Sequence, residues 1–321
     1  MKISVVIPTI REKSIKKFFK EWNFPKDWEI VVVEDNPKKT FSLPKRVKHY
    51  CWKDIDKDLG VDSWIISHRN AGIRCYGFLK VSGDIIISLD DDCYPITHQS
   101  MQMHVDNLNS SKKENCWQYS CSYKTRGVPY YQYKKNVNIV ISHGLWKQNP
   151  DLDAIQTMSY GTEPEGKFEG EKIISSGKYY PMCSMNFAFI KKIIPLMYFP
   201  LMGQNEPFDR FDDIWAGILS KKVLDHLGLR VWSGQPYVRH IRASNAIKNL
   251  VKEASGIEMN EMLWKVVDRV QLEHTTFEEC YCDLSDKLDF SDIIMTDKQR
   301  KYFNKLKKAM KVWVSLCQKY Q

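Results

Sequence analysis

The feature that most restricts the fold is a short apolar run that ends in three consecutive carboxylates, Asp90, Asp91 and Asp92. The run, residues 85–89, is rich in isoleucine and follows a Gly-Asp pair, which is typical of a strand buried on both faces of a parallel sheet. Ligands of open α/β sheets bind beyond the carboxyl ends of the strands, where adjacent carboxylates repel one another unless a cation neutralises them. The run therefore predicts either a site for a hard divalent metal or a solvated acidic turn.

Two further strands are predicted near the amino terminus, at residues 2–7 and 29–33, with a helix over 14–22 between them. That order is a βαβ unit, so the sheet is expected to be mainly parallel. The polar residues that follow the two strands include Thr9, Arg11 and Asp35. At the carboxyl edge of a sheet such side chains either bind a nucleotide, with an Asp accepting hydrogen bonds from ribose or base, or form ordinary polar turns.

A helix is predicted to begin at Ser67 and to end near Gly83, with Arg69 and Arg74 in or near its first turns. Arginine offers forked donors to a diphosphate. An exposed basic helix face is the other ordinary use of such residues, and the pattern does not decide between them.

The second half of the chain adds further candidate residues. Asp212 and Asp213 open a predicted helix, where acidic residues either stabilise the helix dipole or orient a sugar hydroxyl and act as a base. His240 follows a strand-like segment and is either a structural histidine or a neutral ligand that completes Mn²⁺ coordination. Trp146 fills a core or stacks on a sugar. Arg126 lies in an irregular loop, where it is either solvated or able to enter a site.

Length and composition limit the class of protein. The 321 residues are expected to form one α/β domain over 1–250 and a helical extension over 251–321, with helices over 257–272 and 297–320. The formal net charge of +9 comes without a nucleic-acid recognition motif, so no nucleic-acid partner is expected. No apolar run reaches membrane-spanning length. The nine cysteines have no paired metal-ligand spacing and are expected to be reduced thiols of a cytoplasmic protein.

Six blocks of sequence, taken in order, resemble the reversibly glycosylated polypeptide family, which includes the UDP-arabinopyranose mutases best known from plants. The resemblance covers most of the chain from residue 3 to about residue 260. The blocks are residues 5–11, 90–93, 142–146, 181–186, 210–217 and 225–229.

The resemblance implies a GT-A type, Rossmann-like fold, UDP-sugar substrates, and a Mn²⁺ or Mg²⁺ ion held by the Asp run. Asp92 and His240 are then the expected metal ligands, with help from Asp90 or Asp91. The remaining expected contacts are Thr9, Arg11 and Asp35 with the uridine, Arg69 and Arg74 with the diphosphate, and Trp146, Asn186 and Trp215 around the sugar.

The family is glycosylated on an arginine in an Arg-Gly-Tyr-Pro sequence, and the matching residues here begin at Arg126. The resemblance thus implies reversible self-glycosylation on Arg126, with Asp212 or Asp213 helping to remove a guanidinium proton. The family pattern has a second arginine seven residues later, where this chain has Tyr133. Since the neighbouring lysines cannot reproduce a bidentate Arg contact, this departure bears on the mutase activity more than on UDP-sugar binding.

Three functions remain open at this point. The leading one is a metal-dependent UDP-arabinopyranose mutase-like enzyme that interconverts pyranose and furanose forms. The second is a GT-A glycosyltransferase that moves the sugar to an external acceptor, with Asp213 as base or sugar-orienting group. The third is a non-catalytic, self-glycosylated carrier or partner subunit. The sequence does not specify the sugar, and it is compatible with a homo-oligomer.

Overall fold

A mixed sheet of nine strands lies at the centre of the structure, a computed structural model that describes residues 1–118, 122–161, 170–203, 205–241 and 245–320. The strands are β1 (Ile3–Thr9), β2 (Glu29–Glu34), β3 (Val47–Tyr50), β4 (Ile85–Leu89), β5 (Cys93–Pro95), β8 (Ile139–Lys147), β9 (Lys172–Ile174), β10 (Asn186–Ile190) and β11 (Arg230–His240). Two more strands, β6 (Lys112–Asn115) and β7 (Lys134–Val137), form a separate antiparallel pair. The strand order in the main sheet is β3-β2-β1-β4-β10-β8-β11-β5, with β9 paired to β11.

The amino-terminal half of this sheet is parallel, as the βαβ pattern predicts, with β2 and β4 on either side of β1. Nine helices are present in the described residues: α1 (Glu12–Glu21), α2 (Trp52–Leu59), α3 (Arg74–Lys80), α4 (Ser100–Asn109), α5 (Ala154–Tyr160), α6 (Asp212–His226), α7 (Ala246–Arg269), α8 (Phe277–Lys287) and α9 (Asp297–Tyr320). Helix α3 packs closely against β1, since a Cβ atom at Gly77 would lie 2.5 Å from a methyl carbon of Val6.

The other half of the sheet is mixed, and its strand directions decide which loops meet at the carboxyl edge. Strand β10 is antiparallel to both β4 and β8, so β4 and β8 run the same way. Strand β11 is parallel to β8. The end of β4 therefore meets the segment after β8, the residues before β10 and the end of β11, which is His240. This edge gathers the polar residues of the candidate site.

The helices after residue 250 do not have a core of their own. Leu263 of α7, Tyr281 of α8 and Trp313 of α9 belong to the same buried cluster as Val6 of β1. The predicted domain boundary at residue 250 falls inside α7. This helix begins at Ala246, eleven residues before the start predicted at residue 257. The predicted helix over 297–320 is present as α9. The helical extension is therefore built into the packing of the sheet domain.

The helix predicted from Ser67 begins later than expected. The Ser67 hydroxyl is bonded to Met202, and Asn70 caps a short 3₁₀ turn (Ala71–Ile73) before α3 starts at Arg74. The Ser67 hydroxyl donates to the Met202 carbonyl and accepts from the Met202 N–H and the Asn70 amide, so its lone pairs are already used. Within the described ranges, none of the helices is long and apolar enough to cross a membrane.

Candidate functional site

A pocket of about 390 Å³ opens at the carboxyl edge of the sheet. It brings together several of the predicted residues with others from the turns after β8 and before α6. The predicted residues that line it are Arg11, Arg69, Asp90, Asp92, Asp212, Asp213 and His240. The other polar lining residues are Asn70, Asp151, Asp153, Ser184, Asp209, Arg210, Lys252 and Glu253.

Arg11 neutralises part of the Asp run. Its guanidinium binds Asp91 and also Asp92, the second at 2.9 Å. The two carboxylates raise the pKa of Arg11 although burial lowers it. Asp91 is itself buried and also accepts a 2.5 Å hydrogen bond from the Thr9 hydroxyl. Thr9 and Asp91 are therefore behind the pocket surface, where they position Arg11.

Asp90 is neutralised by a different arginine. The Arg74 side chain is 1% exposed, and one of its terminal nitrogens donates to Asp90 at 2.6 Å. Its other donors bind the Ala71 carbonyl, the Ser88 hydroxyl and the Ser184 carbonyl. Arg74 was predicted to bind phosphate. In the structure, each of its three side-chain nitrogens already donates a hydrogen bond within the protein. Arg74 instead fixes Asp90 at the end of β4.

His240 is oriented as a metal ligand would be. Its Nδ1 lies 2.8 Å from the Asn149 carbonyl oxygen, which only accepts, so Nδ1 carries a proton, and Nε2 makes no hydrogen bond with any residue that the structure describes. Nε2 lies 4.0 Å from an Asp92 carboxylate oxygen. That separation is within twice a Mg²⁺–oxygen bond of about 2.0–2.1 Å, so both atoms can reach one ion.

The residues present fit a divalent cation, although the site is not assembled in advance. No group of three or more His, Cys, Asp or Glu side chains is arranged for metal binding within the part of the chain that the structure describes. Arg11 accounts for this, since its guanidinium lies against Asp92 in the place of a cation. Burial and then Asp90 raise the pKa of Asp92, although Arg11 and His240 lower it.

Asp212 and Asp213 form a second carboxylate pair, at the first turn of α6. Asp213 accepts hydrogen bonds of 2.9 Å from the backbone N–H groups of Ser184 and Ile214. One oxygen of Asp212 is buried and has no hydrogen-bond partner among the described residues. Burial raises the pKa of Asp212 to about 7, and the neighbouring Asp213 adds to this effect. Burial also raises the pKa of Asp213 to about 6, and Asp151 adds to that effect. Such carboxyls can exchange protons near neutral pH.

Asp35 lies at the end of β2 beside an aromatic and basic group. It accepts hydrogen bonds from the Trp52 indole at 2.7 Å and from the Arg69 backbone N–H at 2.6 Å. The Arg69 guanidinium lies over the Trp52 ring, 5.2 Å from its centre. Burial raises the pKa of Asp35 to about 6. Asp35 itself does not line the pocket, but Arg69, whose backbone it binds, does.

The three predicted sugar-binding residues do not line the pocket. Trp215 is 0% exposed, and its indole donates to Asn260, because the apolar face of α6 turns inward. Asn186 is also buried, and its amide binds the carbonyls of Leu145 and Pro236, while its oxygen meets His104. Trp146 packs against the core on the other face of the sheet. These side chains support the strands around the site rather than the sugar.

Arg126 is also outside the pocket. It is exposed in a turn of the segment between β6 and β7, and Gly127 beside it has a φ of 95°. Strand β7 leads directly into β8 at the amino edge of the sheet, the edge opposite the pocket, and Arg230 at the start of β11 binds Glu114 of β6. The structure therefore does not bring Arg126 together with Asp212 and Asp213.

Among the lining residues that were not predicted are Asp151, Arg210, Lys252 and Glu253. Asp151 follows β8 and accepts a hydrogen bond from the buried Cys183 thiol. Arg210 directly precedes α6, and Lys252 and Glu253 come from α7. Glu253 was missed because a single acidic residue in a helix looks solvated in sequence, whereas here its side chain is 5% exposed.

The fold and the pocket define the class of protein. The chain is an α/β protein in which a carboxylate run, three arginines and a histidine lie at the carboxyl edge of the sheet, where such folds bind nucleotides. It belongs to the reversibly glycosylated polypeptide family, whose model matches residues 1–321. The α/β fold class predicted from the sequence is confirmed by the mixed sheet and the helices that pack on it.

Characterised relatives match over nearly the whole chain. UDP-arabinopyranose mutase 1 of Arabidopsis thaliana is 33% identical over 334 residues, which cover 97% of this chain and 91% of that protein. UDP-arabinopyranose mutase 1 of Oryza sativa subsp. japonica is 31% identical, with 97% and 89% covered. Among solved structures, glucosyl-3-phosphoglycerate synthase from Mycobacterium tuberculosis, with Mn²⁺, UDP-glucose and phosphoglyceric acid, is 11% identical with a TM-score of 0.47, covering 81% of this chain and 79% of that one.

Proposed function

We propose that this chain is a metal-dependent UDP-sugar enzyme of the UDP-arabinopyranose mutase type, which interconverts pyranose and furanose forms of a UDP-linked sugar. The observation that carries the proposal is the arrangement of Asp92 and His240, whose free carboxylate and imidazole atoms face each other across 4.0 Å at the carboxyl edge of the sheet. The family relationship supports the same activity, since its curated members are named as mutases of this kind.

In this proposal, Asp92 and His240 hold a Mn²⁺ or Mg²⁺ ion with help from Asp90. The ion, when bound, neutralises the diphosphate and lowers the cost of negative charge on departing UDP. Arg11 then moves away from Asp92, keeps its contact with Asp91 and offers its other nitrogens to the ligand. The uridine lies towards Asp35 and Trp52, which are joined by a 2.7 Å hydrogen bond.

Asp212 and Asp213 supply the proton transfer that ring opening and closing require. Changing a pyranose to a furanose needs one sugar hydroxyl to lose a proton while the ring oxygen gains one. The unpartnered Asp212 oxygen and the raised pKa of Asp212 and Asp213 suit these two steps. The backbone N–H groups of Ser184 and Ile214 hold the Asp213 carboxylate in place.

Self-glycosylation on Arg126 is part of the proposal, with a donor pocket from a second copy of the chain. Arg126 is exposed, and the stem of its segment joins the sheet at the edge opposite the pocket. A loop of another copy can present the guanidinium to Asp213, which would accept its proton as the anomeric carbon bonds to nitrogen and UDP leaves. The proposed homo-oligomer would bring the two copies together.

The test of the activity is incubation of the purified chain with UDP-arabinopyranose and Mn²⁺, followed by chromatography of the nucleotide sugars. A UDP-arabinofuranose product that disappears with EDTA and returns with Mn²⁺ is expected. Turnover that is insensitive to EDTA would remove the metal from the proposal. UDP release without ring contraction would contradict the mutase activity. The remaining candidate would then be a glycosyltransferase that passes the sugar to an external acceptor.

The test of self-glycosylation is a mixture of two variants. Asp92→Asn keeps Arg126 but loses the donor site, and Arg126→Ala keeps the donor site but loses the acceptor. A glycosyl adduct on the Asp92→Asn chain, seen only in the mixture by intact mass and peptide mapping, is expected. An adduct in wild type but none in the mixture would show transfer within one chain. No adduct in wild type would exclude the modification.

A further inference from the structure

Two arginines line the pocket with the same unusual backbone conformation. Arg69 has a φ of 63° and Arg210 a φ of 67°, both in the left-handed region that L residues with side chains rarely adopt. A conformation of this kind is strained and persists where the surroundings determine it, often at a ligand site. Arg69 comes from the loop before α3 and Arg210 from the turn before α6.

The two arginine loops are tied to each other through one residue, Met202. Asn70, next to Arg69, donates to the Met202 carbonyl at 2.7 Å, and the Ser67 hydroxyl bonds to the same carbonyl at 3.3 Å. The Phe211 backbone N–H, next to Arg210, lies 3.1 Å from the Met202 sulfur. The positions of the two arginine backbones are therefore coupled at the pocket wall.

The guanidinium of Arg210 is oriented but not saturated. Its Nε donates to Glu253 at 2.7 Å, and Glu253 is itself held by the Ala154 backbone N–H at 2.7 Å. Among the described residues, the terminal nitrogens of Arg210 and Arg69 make no hydrogen bond, unlike those of Arg74. A guanidinium fixed through Nε presents its two free nitrogens as a fork, which matches two oxygens of a phosphate.

The position of each arginine sets the order of contacts. Arg69 lies over Trp52 beside Asp35, at the proposed uridine end. Arg210 lies two residues before Asp212, at the proposed sugar end. We propose that Arg210 binds the β-phosphate of the nucleotide sugar, opposite Arg69, and stabilises the charge that this phosphate gains when UDP leaves. This inference rests on the proposed function and adds to it a residue that α7 positions through Glu253.

In the leaving step, the bond between the anomeric carbon and the β-phosphate oxygen breaks, and the electron pair stays on that oxygen. The anomeric carbon bonds to the guanidinium nitrogen of Arg126 from a second copy, whose proton passes to Asp213. The free fork of Arg210 donates two hydrogen bonds to the β-phosphate, and Glu253 keeps the guanidinium in the plane that the fork requires. Glu253 does not touch the substrate in this scheme and is a positioning residue.

The experiment compares UDP with UMP, which differ by the β-phosphate, as ligands of the full chain in calorimetry with Mn²⁺ present. Arg210→Ala is expected to weaken UDP binding about 10-fold or more and UMP binding less than about 2-fold, since a charge-assisted hydrogen bond is lost only from UDP. Arg210→Lys keeps the positive charge but not the two forked donors, so its UDP affinity is expected to lie between those of wild type and Arg210→Ala. Arg300→Ala, on the exposed face of α9, is the matched control.

A second variant covers the possibility that Arg210→Ala leaves Glu253 unpaired and the protein unstable. Arg210→Ala with Glu253→Gln removes both charges and is expected to show the same selective loss of UDP affinity. Glu253→Gln alone is expected to lower kcat more than it changes UMP binding. An unchanged ratio of UDP to UMP affinity in the Arg210 variants, with wild type binding UDP, would overturn the inference alone. Absence of UDP binding in wild type would overturn the proposed function as well.

Discussion

The two carboxylate groups of the pocket, Asp90 to Asp92 and the Asp212–Asp213 pair, are chemically alike in sequence but differ in how the protein compensates them. Every member of the first group has an arginine partner: Asp90 has Arg74, and Asp91 and Asp92 share Arg11. None of the ion pairs among the described residues involves Asp212 or Asp213, whose hydrogen bonds come from backbone N–H groups.

The two groups therefore differ in what holds them rather than in the direction of their pKa shifts. Burial raises the pKa of Asp91 to about 6 and also raises the pKa of Asp92, although Arg11 lowers both. Burial likewise raises the pKa of Asp212 to about 7 and that of Asp213 to about 6, with Arg74 lowering both. The first group has directly bonded arginines, one of which a metal ion can displace, whereas the second has no ion-pair partner among the described residues and is suited to proton exchange. Variants in the two groups should therefore fail in different ways.

The largest expected effect is in the first group. Asp92→Asn removes the carboxylate that faces His240, and turnover of UDP-sugar should fall by about 1,000-fold or more. A metal ion supplies several kcal/mol at the transition state, and about 1.4 kcal/mol corresponds to tenfold. The dependence of UDP affinity on Mn²⁺ in calorimetry should vanish with it. Asp27→Asn, at an exposed position, is the control, and full Mn²⁺ dependence in Asp92→Asn would contradict the assignment.

The second group should separate chemistry from binding. Asp213→Asn is expected to lower kcat by about 100-fold or more, since a general acid or base contributes about 10²–10⁴-fold. Mn²⁺-dependent UDP affinity should stay within about 3-fold of wild type, because Asp213 is bonded to Ser184 and Ile214 rather than to the metal residues. Equal losses in binding and in kcat would show that Asp213 belongs functionally with the first group.

The sequence predicted the first group better than the second because its signal is local. An apolar strand that ends in carboxylates fixes both the strand and the edge where its end lies, and β4 with Asp90 confirms this. The directions of Arg74, Asn186 and Trp215 depend on which face of a helix or strand packs inward. That choice is made by distant residues, such as Ser184 for Arg74 and Asn260 for Trp215.

The missed residues share a different cause. Glu253 lies 43 positions after Arg210, and no repeat or motif connects the two in sequence. They meet because α7 crosses close to the start of α6, where a Cβ at Gly256 would lie 2.4 Å from the Phe211 ring. A close approach of this kind is a tertiary property. Strands β1, β2 and β4 and the α9 helix were predicted from the sequence pattern, whereas the contacts at the proposed sugar end of the pocket were not.

The raised pKa of Asp212, in the second group, should make the stability of the folded chain depend on pH, which is a smaller effect than the losses of activity. The folded pKa of Asp212 is about 7, above the ordinary value of 3.8, so the folded chain keeps a proton that the unfolded chain has lost. Stability should therefore fall as pH rises from about 4 to about 7. Asp212→Asn should not show this loss. Between pH 4.5 and pH 8, its free energy of unfolding should rise by about 1–3 kcal/mol relative to that of wild type.

The measurement is denaturant unfolding of wild type and Asp212→Asn at both pH values. Asp27→Asn should show no such relative gain, since its side chain is exposed. If the difference between wild type and Asp212→Asn is the same at pH 4.5 and pH 8, Asp212 is already ionised in the folded protein, and the contrast between the two groups is lost.

The smallest expected effect concerns Arg11, which lies against Asp92 where a cation is proposed to bind. Arg11→Gln should lower Tm by a few degrees without metal, because Asp91 is buried and loses its positive partner. Added Mn²⁺ should then raise Tm more in Arg11→Gln than in wild type, since the ion no longer competes with the guanidinium and ligand binding stabilises the folded state. Arg46→Gln should respond as wild type does, since the Arg46 side chain binds the carbonyls of Pro25 and Phe24 on the surface, away from the pocket. A smaller Mn²⁺ response in Arg11→Gln would mean that Arg11 helps to build the metal site rather than to fill it.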